Sequence, residues 1–203
     1  VFLSTTAQAA GELKLYNWSD YMPQALIDKF SKQFDVKVTQ DSYDSNETLL
    51  SKLKSGVKGY DLAVPGDYMV AIMIKEGLLE KIDANQLPNF SKVKKELVDV
   101  YFDKGRSYSI PYQFGTTSFM VDTNIYKGDI NTLAILFDTP AELKGKVNVF
   151  RDVNDVINAA LRYLGYPTCN SNKEQLSKVN DLLLKAKPDW LSIASDGARE
   201  MLI

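Results

Sequence analysis

The sequence predicts an α/β fold. A strand, a helix and a second strand follow one another between residues 12 and 39; a strand and helix recur from Tyr60 to Gly77, and again from Gly145 to Gly165. Strands alternating with helices imply a mostly parallel sheet whose faces are covered by the helices.

The elements can be justified in order. Leu13 and Leu15 alternate with Lys14 and Tyr16, the period of a strand, and Pro23 then stands where the first turn of a helix tolerates proline. Leu26, Phe30 and Phe34 form an i, i+4, i+8 apolar stripe, and Val36-Lys37-Val38-Thr39 reads as the next strand. Asp44-Ser45-Asn46-Glu47 has the acid-x-x-Glu spacing of a capping box, which opens a helix through Leu49, Leu50 and Leu53 that stops by Gly56. Tyr60-Asp61-Leu62-Ala63-Val64-Pro65 is a short strand ended by its proline, and a helix with Val70, Met73 and Ile74 ends at Gly77. Tyr108 to Tyr112 and Thr117 to Val121 are strand-like runs on either side of Gln113-Phe114-Gly115-Thr116, a crossover between two lobes. Beyond it come a strand at Gly145 to Phe150, a helix from Asp152 to Leu164 closed by Gly165, and a helix from Lys173 to Lys187 with Leu176, Val179 and Leu183 inward. A last helix is expected from Asp196 to Ile203.

Composition narrows the function. At 203 residues and 45% hydrophobic content the chain can bury a real core, and a net charge of −2 with interspersed signs offers no basic face for nucleic acid. Histidine is absent, which removes Ser-His-Asp and Cys-His catalysis and the commonest metal ligand; Cys169 stands alone, so no intrachain disulfide or thiolate zinc site forms. No Gly-x-Gly-x-x-Gly, P-loop or Asp-x-Asp-x-Asp-Gly pattern occurs, so no cofactor or metal is expected. The first ten residues have an apolar start and an Ala-x-Ala at positions 7 to 9, like the back end of a secretory signal peptide cleaved after Ala9. The expected product is exported and soluble. The chain lacks an initiator Met and ends on apolar Met201-Leu202-Ile203, so truncation is expected at both ends.

Three loops fall at the carboxyl ends of strands, where open α/β sheets bind ligands. They are Trp18-Ser19-Asp20-Tyr21, Gly66-Asp67-Tyr68 and Arg151-Asp152-Val153-Asn154-Asp155. An indole and phenols beside carboxylates suit an organic cation. Trp18 and Tyr21 could equally cap the core, and Asp152 and Asp155 could be an N-cap and a first-turn acid. The same two acids could serve an exported hydrolase as an acid/base pair.

Tyr16-Asn17-Trp18-Ser19-Asp20-Tyr21, Tyr43-Asp44-Ser45-Asn46-Glu47-Thr48, Tyr60 to Pro65, Ser109-Ile110-Pro111-Tyr112 and Ala160 to Tyr166, taken in order, resemble the periplasmic spermidine/putrescine-binding proteins of bacterial ABC importers. The resemblance implies a two-lobed, type II Venus-flytrap architecture whose second lobe is incomplete here. Its divisions would be a signal-peptide remnant at 1–9, a first lobe at 10–112, a crossover at 113–118 and a partial second lobe at 119–203. It further implies a monomeric periplasmic receptor, not an enzyme, that captures putrescine or spermidine and delivers it to an inner-membrane permease. Another small cationic or neutral solute, and a sensor that docks to a signalling protein, are the other ligand and partner classes in play. Carried over to this sequence, the ligand-binding positions are Trp18, Ser19, Asp20, Tyr21, Gly66, Tyr68, Asp152 and Asp155. Gly66 falls where the family usually has Ser, and Asp155 where it usually has Glu.

Overall fold

A computed structural model describes residues 11–197 and 200–202, so the signal-peptide remnant expected at 1–9 lies outside the described residues. The chain divides into two compact units, one ending at Phe114 and one beginning at Gly115.

The first unit is built on a three-stranded parallel sheet. Strand β1 (Gly11–Trp18) lies at its centre, paired with β2 (Val36–Tyr43) on one side and the two-residue β3 (Leu62–Ala63) on the other. The register sets Trp18 opposite Tyr43 and Tyr16 opposite Ala63. The alternation expected for β1 does not hold at its carboxyl half: Leu15, Tyr16 and Asn17 are all buried, because a central parallel strand is covered on both faces. Tyr16 stacks on Tyr60 at 4.6 Å between ring centroids and meets Tyr43 edge-on at 4.8 Å.

Helix α1 (Gln24–Phe34) follows Pro23 as expected, but its apolar stripe faces away from the sheet. Leu26, Phe30 and Phe34 are exposed, and Ile27 is the buried residue. Helix α2 (Asn46–Lys54) is capped one residue later than the acid-x-x-Glu spacing predicted. The Ser45 hydroxyl accepts from the Thr48 backbone N–H at 3.2 Å, while the Asp44 carboxylate takes the Thr48 hydroxyl at 3.0 Å. Ser is a good cap at this position, and it leaves Asn46 and Glu47 in the first helical turn. Helix α3 (Asp67–Lys75) ends at Gly77, whose φ of +68° lets the Leu78 N–H return to the Met73 carbonyl at 2.9 Å. Tyr16, Tyr43, Leu49, Met69 and Met73 make the core between these helices and the sheet. Leu49 and Met73 are fully buried; each such side chain stabilises by about 1.5–3 kcal/mol.

The second unit carries α4 (Ala134–Phe137), β4 (Val147–Val149), α5 (Val153–Tyr163), α6 (Lys173–Ala186) and β5 (Trp190–Ile193). β4 and β5 pair in parallel. Asp152 caps α5, and Gly165, at φ +75°, closes it as predicted. α6 buries Val179, and the Trp190 indole N–H donates to the Leu136 carbonyl at 2.7 Å. Cys169, in the α5–α6 connection, is exposed at φ +56°, with its N–H on the Asn158 side-chain oxygen at 2.7 Å.

Two expectations fail here. Tyr108 to Tyr112 and Thr117 to Val121 form no strand, since an apolar run becomes one only against a ladder partner and none of the described ladders includes them. The final helix is a short 3₁₀ turn at Glu200–Leu202, and residues 198, 199 and 203 lie outside the described residues. Among the described residues no helix is long and apolar enough to cross a membrane, and no cluster of acids or cysteine could hold a metal ion.

Candidate ligand-binding site

In the first unit, the predicted residues gather where β1 and β3 end and where α2 and α3 begin. Trp18 is the last residue of β1. Its indole N–H donates to the Val64 carbonyl at 2.8 Å, and the buried Tyr43 hydroxyl donates to the same oxygen. The two rings lie 4.8 Å apart. Burial, reinforced by Tyr16 and Tyr21, pushes the Tyr43 phenol well above its ordinary range, so it stays a neutral donor. Trp18 is therefore both a core-edge residue and a fixed aromatic wall, its position set by the end of β3.

The loop that follows turns sharply. Asp20 adopts φ +61°, a left-handed conformation that Asp tolerates better than most residues. The residue is exposed, and no ion pair engages it among the described residues. Ser19 is partly buried, and its N–H makes a long bond to the Tyr43 carbonyl at 3.4 Å. Tyr21 is 44% exposed with its ring 6.1 Å from Trp18, so the pair forms a continuous, half-open aromatic surface.

Gly66 and Tyr68 are joined through a residue that sequence reasoning missed. Asn46 is 2% exposed; its oxygen accepts from the Gly66 N–H at 2.8 Å, and its amide nitrogen donates to the Tyr68 hydroxyl at 3.1 Å. That hydroxyl in turn reaches Glu47 at 3.2 Å. A Cβ on residue 66 would stand 3.0 Å from the Asn46 amide nitrogen, which accounts locally for glycine there. Tyr43 and Asn46 could have been sought from position alone, at a strand's carboxyl end and a helix's first turn.

In the second unit Asp152 and Asp155 form their own pair. Asp152, 8% exposed, accepts from the Asp155 N–H at 2.9 Å, the bond of a helix N-cap. Asp155 accepts the Thr117 hydroxyl at 2.6 Å. Both acids thus sit at the amino end of α5. This group and the Trp18–Tyr68 group belong to different units.

A family model described as bacterial extracellular solute-binding protein matches residues 25–199. The chain belongs to that family. Among the proteins this solute-binding chain is similar to are spermidine/putrescine-binding periplasmic protein 1 of Haemophilus influenzae, 34% identical over 98% of this chain and 55% of the relative, and the spermidine/putrescine-binding periplasmic protein of Escherichia coli, 36% identical over 91% and 53%. A solved chain assigned to a spermidine/putrescine ABC transporter from Listeria monocytogenes superposes with a TM-score of 0.86 at 32% identity, covering 94% of this chain and 59% of that one. The α/β fold is that of these binding proteins. The chain spans about half the length of the curated relatives it matches.

Proposed function

We propose that this solute-binding protein captures a polyamine, putrescine or spermidine, outside the cytoplasm and hands it to the permease of an ABC importer. The observation that carries the reading is the similarity to relatives named for spermidine and putrescine, joined to an aromatic and acidic corner at the end of β1. The ligand-contacting residues are Trp18, Ser19, Asp20, Tyr21, Gly66 and Tyr68 from the first unit, and Asp152 and Asp155 from the second.

The chemistry follows from the side chains. A polyamine is a chain of methylenes between ammonium groups. The Trp18, Tyr21 and Tyr68 rings receive its apolar segments and give each nearby cation about 0.5–2 kcal/mol, depending on how far water is excluded. Asp20, Asp152 and Asp155 neutralise the ammoniums, since a desolvated charge must be paired. The hydroxyl donated by Thr117 leaves Asp155 one further oxygen with which to meet a cation. No step makes or breaks a covalent bond, so the protein acts as a receptor and not as an enzyme, and it works as a monomer in the periplasm.

Calorimetric titration of the full chain with putrescine, spermidine and a neutral sugar tests this. Saturable heat with an amine and none with the sugar is expected, with affinity at least tenfold lower in Asp155→Ala. A folded protein that takes up neither amine sinks the proposal.

A further inference from the structure

Tyr112 lies outside the strands that build the site, yet it reaches the loop that carries Asp20 and Tyr21. Its hydroxyl donates to the Tyr21 carbonyl at 2.8 Å across 91 residues of sequence, and the two rings lie 6.4 Å apart. The loop has little else to hold it. Asp20 is exposed, Tyr21 is half-exposed with its ring beside Trp18, and the Ser19 N–H makes the long 3.4 Å bond to Tyr43.

Tyr112 is itself firmly mounted. Three residues upstream, Ser109 is bolted to the buried Asp103 carboxylate by its N–H at 2.7 Å and its hydroxyl at 2.8 Å. The same carboxylate takes the Ser107 and Tyr108 N–H groups. Arg106, also buried, donates to the Ser109 hydroxyl at 3.0 Å and to the Leu97 carbonyl at 2.7 Å, with its guanidinium 5.0 Å from the Phe102 ring. A buried acid and a buried arginine are costly unless bonded in this way, and here the bonds fix the path of the chain that leads to Tyr112. Three residues downstream the second unit begins.

We infer that Tyr112 is a positioning residue of the ligand site: its hydroxyl holds the Ser19–Tyr21 loop in the binding conformation and ties that loop to the segment leaving the first unit. A preformed loop binds more tightly because its ordering cost is already met before the ligand arrives. The polyamine part of the inference rests on the function proposed above; the holding of the loop does not.

The test is Tyr112→Phe, which keeps the ring and removes one hydrogen bond, with Tyr108→Phe as the control on the same segment. Hydrogen–deuterium exchange without ligand is expected to speed up at residues 19–22 in Tyr112→Phe while exchange at residues 107–109 stays as in the wild type and the melting temperature falls by no more than about 4 °C. Titration is expected to show putrescine or spermidine affinity lowered roughly fivefold, the net worth of one such bond. Tyr108→Phe should leave both unchanged. Unchanged exchange at 19–22 in Tyr112→Phe overturns the inference whether or not any amine binds. Faster exchange with unchanged affinity overturns the role in binding. A wild type that binds no polyamine refutes the proposed function, and the exchange result then decides the holding of the loop alone.

Discussion

Asp152 has two jobs in the reading above, and two substitutions separate them. As the N-cap of α5 its side chain accepts the Asp155 N–H at 2.9 Å; as a ligand group it supplies negative charge. Asp152→Asn keeps an equally good cap, and the lost interaction with the helix dipole should cost about 0.3–1 kcal/mol. Asp152→Ala removes the cap as well and should cost a further ~0.5–2 kcal/mol. Binding should rank differently. Removing one partner of a desolvated, hydrogen-bonded charge pair costs about 2–5 kcal/mol, so Asp152→Asn should weaken putrescine binding by ~30-fold or more despite its near-normal stability. Differential scanning calorimetry gives the first quantity and isothermal titration the second. Wild-type affinity in Asp152→Asn, alongside a destabilised Asp152→Ala, would make Asp152 a cap and nothing more, and would refute its assignment to an ammonium.

Two other predictions concern the scaffold. Because burial raises the Tyr43 phenol, the unfolded chain releases this proton near pH 10 while the folded chain keeps it. Stability should therefore be intact below about pH 10 and fall above it by up to ~1.4 kcal/mol per pH unit; urea unfolding at pH 9 to 11 would show this, and Tyr43→Phe should flatten that limb. Leu49→Ala, at a fully buried position of the first core, should cost about 2–5 kcal/mol in the same assay, and a loss under 1 kcal/mol would contradict the packing described.

Elements whose signal is local were legible in the sequence. Pro23, Gly77, Asp152 and Gly165 punctuate helices through backbone geometry that a single residue decides, and α1, α3 and α5 begin or end where these residues put them. What depends on a distant partner was not legible. Tyr16 was expected on an alternating strand, but its burial depends on β2 and β3 lying on both sides of β1. The stripe of Leu26, Phe30 and Phe34 has the period of a buried face, and nothing in its spacing tells that Ile27 is buried instead. Trp190 to Ile193 pair with β4 over more than forty residues and carry only a four-residue pattern of their own. At the site, the loop aromatics stood out by type and place, whereas Asn46 and Tyr112 act through hydrogen bonds to Gly66, Tyr68 and Tyr21 that no spacing announces.

The single cysteine offers a practical handle. Cys169 is exposed, lies on a connection between two helices and has no other thiol in the chain to compete with it. A maleimide dye therefore attaches at one known point of the second unit, and with Trp190 replaced by Phe the remaining indole, Trp18, reports from the first. Heating the labelled protein and following the two signals side by side would reveal whether the halves lose structure together or one after the other.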